Sequence, residues 1–142
     1  MTPEENKARV RQAFNEIMNK GNLSAVDEYL APDFVGYFSN APAVQGREGF
    51  KQFISMWLAA FSPLSVTVDD ALAEGDKVVA RVTFRGTHTG PLMNIPPTGR
   101  QVVTTGLNIF RLVDGKTVEQ RAMSDDLGLM QQLGVIPAPA QP

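Results

Sequence analysis

The feature that most constrains the fold of this 142-residue chain is a change in its hydrophobic period near Pro63. Before Pro63, apolar residues recur every three or four positions, which is typical of amphipathic helices. After Pro63, apolar and polar residues alternate, which is typical of strands with one buried face. The predicted order is three helices, four strands joined by hairpins and a short closing helix. Because helices and strands are segregated along the chain, this order favours an α+β fold, a curved antiparallel sheet with the helices on its concave side.

The helices have recognisable ends. The first is predicted to begin after Thr2, a capping hydroxyl followed by proline, and to stop at Gly21. The second is predicted over residues 22–30 and is ended by Pro32. A brief extended piece at 34–38 leads to a loop, and the third helix is predicted over 47–61 with a wide apolar stripe.

The strands are separated by turn signals. Glu74-Gly75-Asp76 leads into the strand predicted at 77–87, and a Gly/Pro-rich excursion at 90–99 precedes the strand at 100–113. Asp114-Gly115 predicts a tight hairpin turn before the last strand at 117–124. A helical turn at 126–133 ends at Gly134. We expect one domain over residues 1–136 and an unpacked Pro/Ala-rich tail over 137–142.

The composition excludes several classes of chemistry. The chain has no cysteine and a single histidine, His88, so disulfides, thiolate metal sites and multi-histidine metal centres are not expected. Its net charge of −2 gives no basic stripe for nucleic acid. The charged start lacks a secretory signal and no apolar run has the length of a membrane span, which predicts a cytoplasmic protein without a membrane partner. The chemistry is left to carboxylates, hydroxyls, amides and a shaped pocket.

A curved sheet with helices on its concave side leaves a cone-shaped space, into which side chains of one strand parity must point. On the final strand, Glu119, Arg121, Met123 and Asp125 share one parity. On the preceding strand, Asn108 shares its parity with Phe110. The sequence leaves open which parity faces inward.

Several motifs carry a resemblance to a known family. They are GTHTG at 86–90, IPPTGR at 95–100, DGK at 114–116 and the segment 125–134, which runs from Asp125 into LGLMQQLG. In this order they resemble the SnoaL-like polyketide cyclases of the nuclear transport factor 2-like superfamily, from the first helix to Gly134. The resemblance implies a cone-shaped α+β barrel and a cofactor-free intramolecular aldol condensation that closes a ring of an aromatic polyketide ester. It also implies a homodimer through the outer sheet face, where Arg81, Thr83 and Arg85 are expected.

The family's Glu-x-Trp-x-x-x-Asp pattern assigns the acid/base role to Asp125 and its first position to Glu119. Two positions depart from the family. Arg121 stands in place of the tryptophan, and Tyr37 stands in place of a histidine in the loop after the second helix. Both are expected near the pocket, so the substrate or the reaction is expected to differ from that of the polyketide cyclases.

Four residues are candidates for catalysis, each with a structural alternative. Asp125 is favoured as the base, although a helix cap would also explain it, with Asp126 as the better cap. His88 could donate a hydrogen bond to substrate, but an interpretation as a loop-stabilising residue is favoured. Arg121 could pair with Asp125 or Glu119 or clamp an anionic group. Asn108 could donate to a developing enolate.

The remaining candidates shape the pocket. They are mostly aromatic, which suits a flat apolar ligand, and comprise Trp57, Tyr37, Phe53, Phe34, Phe110, Met123 and Glu119.

The leading hypothesis is a cofactor-independent, metal-free enzyme that performs enolate chemistry on a hydrophobic carbonyl compound through Asp125. The first alternative is an epoxide hydrolase or isomerase on the same scaffold, for which Arg121 with Asp125 would supply part of an Asp–Arg–Asp arrangement. The second alternative is a non-catalytic ligand-binding or dimerisation module. A closed apolar cavity with an unpaired Asp125 favours catalysis, whereas an Asp125 that is saturated by an ion pair with Arg121 or that faces solvent favours a binding or structural role.

Overall fold

The N-terminal helix begins and ends where the sequence predicts. A computed structural model describes residues 1–138 of the chain, so most of the predicted tail, residues 139–142, lies outside the described residues. α1 spans Pro3–Ala13 and continues as a π-helical segment, Phe14–Asn19. The Thr2 hydroxyl accepts a hydrogen bond from the Glu5 N–H at 3.1 Å, as an N-cap does. Gly21 follows with φ 65°, a left-handed conformation that suits glycine and ends the helix.

The second predicted helix is only partly correct. A 3₁₀ turn, Leu23–Ala25, leads into a single turn of α-helix, α2, Val26–Tyr29. Leu30 already begins strand β1, Leu30–Phe38, which therefore contains Pro32. The register of β1 shifts between Leu30 and Val35, and this irregularity accommodates a residue that cannot donate a ladder hydrogen bond. The predicted segment is therefore helical over 23–29, and the extended piece predicted at 34–38 begins earlier, at Leu30, because it pairs with a strand far along the chain.

The third helix agrees with its prediction. α3 spans Gly46–Ala60 and is preceded by the two-residue strand β2, Val44–Gln45. Phe50 and Ile54 are buried on its inner face. The later elements are β3 Phe61–Glu74, β4 Lys77–His88, β5 Gln101–Val113, β6 Lys116–Ser124 and α4 Asp126–Leu133.

The strands form one curved sheet of six strands in the order β2-β1-β6-β5-β4-β3. β3 to β6 are antiparallel neighbours, as predicted. The prediction of a purely antiparallel four-stranded sheet is corrected by β1, which pairs parallel to β6 and carries β2 at the sheet edge. The sheet does not close into a full barrel, and its fold class is the predicted α+β cone.

The helices cover the concave face, and the core lies between them and the sheet. One cluster joins α2 and α3 to β1 through Val26, Phe34 and Phe50. A second packs Val10 of α1 against Val78 and Phe110. A third lies beneath α4, between Phe61, Leu92, Val102 and Leu129. Within residues 1–138, no helix is long and apolar enough to cross a membrane.

Candidate functional site

A cavity of about 190 Å³ separates the helices from the concave face of the sheet. Phe14 and Ile17 line it from the N-terminal helical segment, Phe53 and Trp57 from α3, and Phe110 from β5. The predicted pocket residues Trp57, Phe53 and Phe110 line the cavity. Met123 also borders it, but this residue shares the strand parity of Arg121 and is 74% exposed. Aromatic walls of this kind suit a flat apolar ligand.

The structure resolves the question of strand parity. On β5 the inward side chains are those of Thr104, Asn108 and Phe110. On β6 they are those of Gln120, Ala122 and Ser124. The parity of Glu119 and Arg121 therefore faces away from the cavity.

Glu119, Arg121 and Tyr37 instead meet on the outer side of the sheet. Arg121 Nε donates to Glu119 Oε1 at 3.1 Å. The Arg121 guanidinium lies 4.2 Å from the centroid of the Tyr37 ring, a cation–π contact made possible because the two residues are partners in the β1–β6 ladder. None of the three lines the cavity described here. The two departures from the family pattern thus contact each other outside the cavity, contrary to the expectation that both lie near the pocket.

Phe34 belongs to the core. Its side chain is fully buried and packs edge-on against Phe50, with ring centroids 5.3 Å apart. It does not appear among the residues that line the cavity, because its position on β1 points it between α2 and α3. The expectation that it shapes the pocket is therefore replaced by a packing role.

His88 is fully buried at the end of β4 and also lies outside the cavity lining. Its Nδ1 accepts a hydrogen bond from the Thr98 N–H at 3.1 Å and lies 3.0 Å from the Thr98 hydroxyl. Its backbone accepts from the Gly99 N–H at 2.8 Å and donates to the Arg100 carbonyl at 2.9 Å. These contacts close the excursion between β4 and β5, which matches the loop-stabilising interpretation that the sequence favoured.

Two adjacent carboxylates line the mouth of the cavity, and their surroundings differ. Asp125 is the N-cap of α4, and its Oδ1 accepts from the Gly128 N–H at 2.9 Å. Asp125 Oδ2 has no hydrogen-bond partner among residues 1–138, and no cation pairs with it there. The residue is exposed to solvent, so Asp125 is unpaired as catalysis requires but is not enclosed in the cavity. Capping thus falls to Asp125, whereas the sequence interpretation had favoured Asp126.

Asp126 has both carboxylate oxygens engaged. Oδ2 accepts from the Ser39 hydroxyl at 2.8 Å. Oδ1 accepts from the Ser124 hydroxyl at 2.8 Å and from the Asn40 side-chain amide at 3.1 Å. This cluster joins the end of β1 to the start of α4 and holds the rim of the cavity together.

One polar residue in the cavity was not singled out from the sequence. Gln120 is buried and its Nε2 donates to Asn108 Oδ1 at 3.1 Å. Gln120 could have been predicted only if the inward face of β6 were known from the sequence. Gln120 lies between the charged residues Glu119 and Arg121, so no apolar alternation indicates which face is buried there. In the part of the chain that the structure describes, no three acidic or histidine side chains form a group that could hold a metal ion.

Gly128 makes room for the Asp125 carboxylate. A Cβ added at Gly128 would overlap the carboxylate oxygens. We expect Gly128→Ala to displace the Asp125 side chain and to reduce turnover at least tenfold, a large effect for a small change in position. The free energy of unfolding should change by only about 1 kcal/mol, because alanine favours the helix while the cap is weakened. Kinetics and thermal unfolding of the same sample check this, and unchanged turnover would show that the glycine does not position Asp125.

Comparison with known proteins agrees with this architecture. A family model described as SnoaL-like polyketide cyclase matches residues 8–133. Nogalonic acid methyl ester cyclase of Streptomyces nogalater is 31% identical over 118 residues, which cover 82% of this chain and 88% of that protein. Aklanonic acid methyl ester cyclase DauD of Streptomyces sp. (strain C5) is 30% identical over 122 residues, which cover 84% and 76%.

The fold comparison gives the same answer. A crystal structure described as a SnoaL-like polyketide cyclase from Jannaschia sp. CCS1 superposes with a TM-score of 0.87 at 29% identity and covers 96% of this chain and 98% of that one. The motifs, the cone-shaped α+β fold and the matched family model agree over almost the whole length. The chain belongs to the SnoaL-like polyketide cyclase family.

Proposed function

We propose that this protein is a cofactor-independent cyclase that closes a carbocyclic ring in an aromatic polyketide ester by intramolecular aldol chemistry, with Asp125 as the acid/base. The observation that carries the proposal is the difference between the two carboxylates at the cavity mouth. Asp125 has one oxygen fixed by Gly128 and the other free, whereas both oxygens of Asp126 are engaged. A base needs an available lone pair in a fixed position.

The proposed reaction needs only proton transfers around one new bond. Asp125 removes a proton from the carbon next to a substrate carbonyl and so generates an enolate. The enolate carbon attacks a second carbonyl carbon of the same molecule, and a C–C bond forms. The resulting alkoxide takes the proton back from Asp125, so that no electrons are gained or lost and the carboxylate is regenerated.

The cavity supplies an apolar surface that orients the substrate. Phe53 and Trp57 are 6.4 Å apart and oriented edge to face, and Phe38 stacks on Phe53 at 4.4 Å. A planar polycycle held between these rings and β5 keeps the two reacting carbons close, which lowers the entropic part of the barrier. Methyl esters of the kind named for the Streptomyces relatives are the first compounds to test.

The alternative of epoxide hydrolysis receives less support. That chemistry was expected to use Arg121 beside Asp125, and Arg121 pairs with Glu119 on the other side of the sheet. Among the residues that line the described cavity, none is an arginine, lysine or histidine. In a binding module without catalysis, Asp125 would serve only as the N-cap of α4. Asp125→Asn, which keeps the cap, separates the two.

We also propose that a second copy of the chain covers the outer sheet face. Leu72, Val79 and Ile109 are successive ladder partners on three strands and are 67%, 37% and 45% exposed, with Leu107 beside them at 56%. Arg81 and Arg85 are exposed on the same face, whereas the predicted interface residue Thr83 is buried and donates a hydrogen bond to Asp69. A contiguous apolar patch on a sheet face favours a two-fold contact of like with like.

We expect sedimentation velocity to show a dimer for the natural chain and a monomer for Val79→Glu, because Val79 lies between the apolar ladder partners Leu72 and Ile109 and the substitution would bury a charge from each copy in the patch. Gln12→Glu, on the exposed side of α1, is the matched control and should stay dimeric. A natural chain that is monomeric at micromolar concentration would contradict this assembly.

A further inference from the structure

The cavity contains two amide side chains, Asn108 and Gln120, that are hydrogen-bonded to each other. Asn108 and Gln120 are 6% and 7% exposed, and both line the cavity. On the ladder, Asn108 is opposite Ala122 and Gln120 is opposite Phe110, so the two side chains are diagonal neighbours on the inward face. The longer glutamine spans the diagonal and donates to Asn108 Oδ1 at 3.1 Å.

This hydrogen bond engages two of the four polar atoms of the two amides. Asn108 Nδ2 and Gln120 Oε1 have no protein partner within residues 1–138. Neither atom is among the buried side-chain atoms left without a partner there, which are Asn6 Oδ1 and His88 Nε2. Since both residues line the cavity, the two remaining groups open onto it. One is an N–H donor and the other is a carbonyl acceptor.

The pair presents a donor and an acceptor to the cavity whichever way the two amide groups are oriented. If both amides were rotated by 180°, Asn108 Nδ2 would donate to Gln120 Oε1, and the cavity would meet Asn108 Oδ1 and Gln120 Nε2 instead. In either orientation the pair presents one donor and one acceptor side by side. The complementary ligand edge has an acceptor next to a donor, such as a ring carbonyl beside a hydroxyl group.

The pair lies at a defined depth below the base. The Asp125 N–H donates to the Thr105 carbonyl, and Asn108 is three residues further into the cavity along β5. At a rise of about 3.3 Å per residue, this separation is about 10 Å. A ligand that reaches both must be long and rigid, as a fused polycycle is.

We propose that Asn108 and Gln120 select the substrate by binding a carbonyl–hydroxyl edge on the ring remote from the reacting carbon. This inference rests on the proposed function for its orientation, because Asp125 marks the reacting end. The inference itself predicts a preference for ligands that carry the hydroxyl group, which can be measured by binding alone, without turnover. A site that pairs with a hydroxyl group discriminates strongly against the analogue that lacks it, because its buried acceptor is then left unpaired.

The test uses three flat probes, which are 2-hydroxyanthraquinone, 2-methoxyanthraquinone and unsubstituted anthraquinone. A hydroxyl group at position 2 is too far from the ring carbonyls for an internal hydrogen bond, so its proton is available to the protein. Binding is followed by quenching of Trp57, which is the single tryptophan of the chain and lines the cavity. We expect the hydroxyl probe to bind the natural protein about tenfold more tightly than the methoxy and unsubstituted probes, as one or two net hydrogen bonds allow. In Gln120→Met and Asn108→Leu, which keep the side-chain size, the three dissociation constants should converge to within about twofold.

Gln101→Leu is the matched control, because it makes an amide-to-apolar exchange at an exposed position of β5 outside the cavity lining. It should keep the full preference. Equal binding of all three probes by the natural chain would overturn the inference even if the cavity variants failed to fold, and so would a preference that survives in folded Gln120→Met. Asp125→Asn should keep the preference, so that loss of turnover there bears on the proposed function alone.

Discussion

Replacing Asp125 by asparagine is expected to lower the rate of ring closure by about 10²–10⁴-fold, the range that a positioned general base contributes. Asparagine caps helices as well as aspartate does, so the bond from the Gly128 N–H is kept and the fold should be unchanged. The variant therefore separates proton transfer from capping. Single-turnover kinetics on an aromatic polyketide methyl ester, with circular dichroism of the same samples, measures the effect.

Asp126→Asn is the informative neighbour. The asparagine oxygen can still accept from Ser124 and Asn40, and its NH₂ group can donate to the Ser39 hydroxyl, which donates in the natural chain. Because residue 126 does not supply the base, we expect a loss of no more than about tenfold. Asp70→Asn, at an exposed position of β3, should leave the rate unchanged. Full activity in Asp125→Asn combined with a large loss in Asp126→Asn would show that Asp126, and not Asp125, is the base.

Phe34→Ala is expected to lower the free energy of unfolding by about 3–5 kcal/mol, the cost of removing a fully buried phenylalanine. The Phe34 ring is in edge-to-face contact with Phe50 and lies in the cluster that joins α2 and α3 to β1. Urea denaturation measures the change. If the protein does not accumulate in folded form, Phe34→Leu should still lose about 1 kcal/mol or more.

Phe53→Leu provides the contrast, because Phe53 lines the cavity and is only partly buried. It should lose less stability and weaken binding of the anthraquinone probes, whereas folded Phe34→Leu should bind them almost as the natural chain does. If Phe34→Leu instead weakened probe binding without changing stability, Phe34 would be a pocket residue and not a core residue.

Local signals in the sequence predicted much of the fold. The Thr2 cap, the stop at Gly21 and the Asp114-Gly115 turn all occur where expected, with positive φ at 21, 114 and 115. These features are determined by a few adjacent residues, so they can be predicted from a short segment of the sequence without knowledge of its distant partners. The change of period at Pro63 likewise separated helices from strands, and the family motifs connected this order to the cone.

What the sequence could not predict depends on distant partners. β1 pairs in parallel with β6, more than 80 residues away, and this pairing makes the strand begin at Leu30, before the extended piece predicted at 34–38. The parity of β6 is likewise fixed only by its pairing with β1 and β5, which leaves Arg121 beside Tyr37 on the outer face. As a result Arg121 and Glu119 were placed near the chemistry, and Gln120 was missed.

The most direct test of the account is proton exchange at carbon, measured without ring closure. A substrate analogue that lacks the second carbonyl can be deprotonated by Asp125 but cannot cyclise, so in D₂O its acidic carbon should acquire deuterium, which NMR detects. We predict incorporation by the natural protein that is at least a hundredfold faster than by Asp125→Asn, with both proteins binding the analogue. Equal rates of exchange in the two proteins would contradict the assignment of Asp125 as the base.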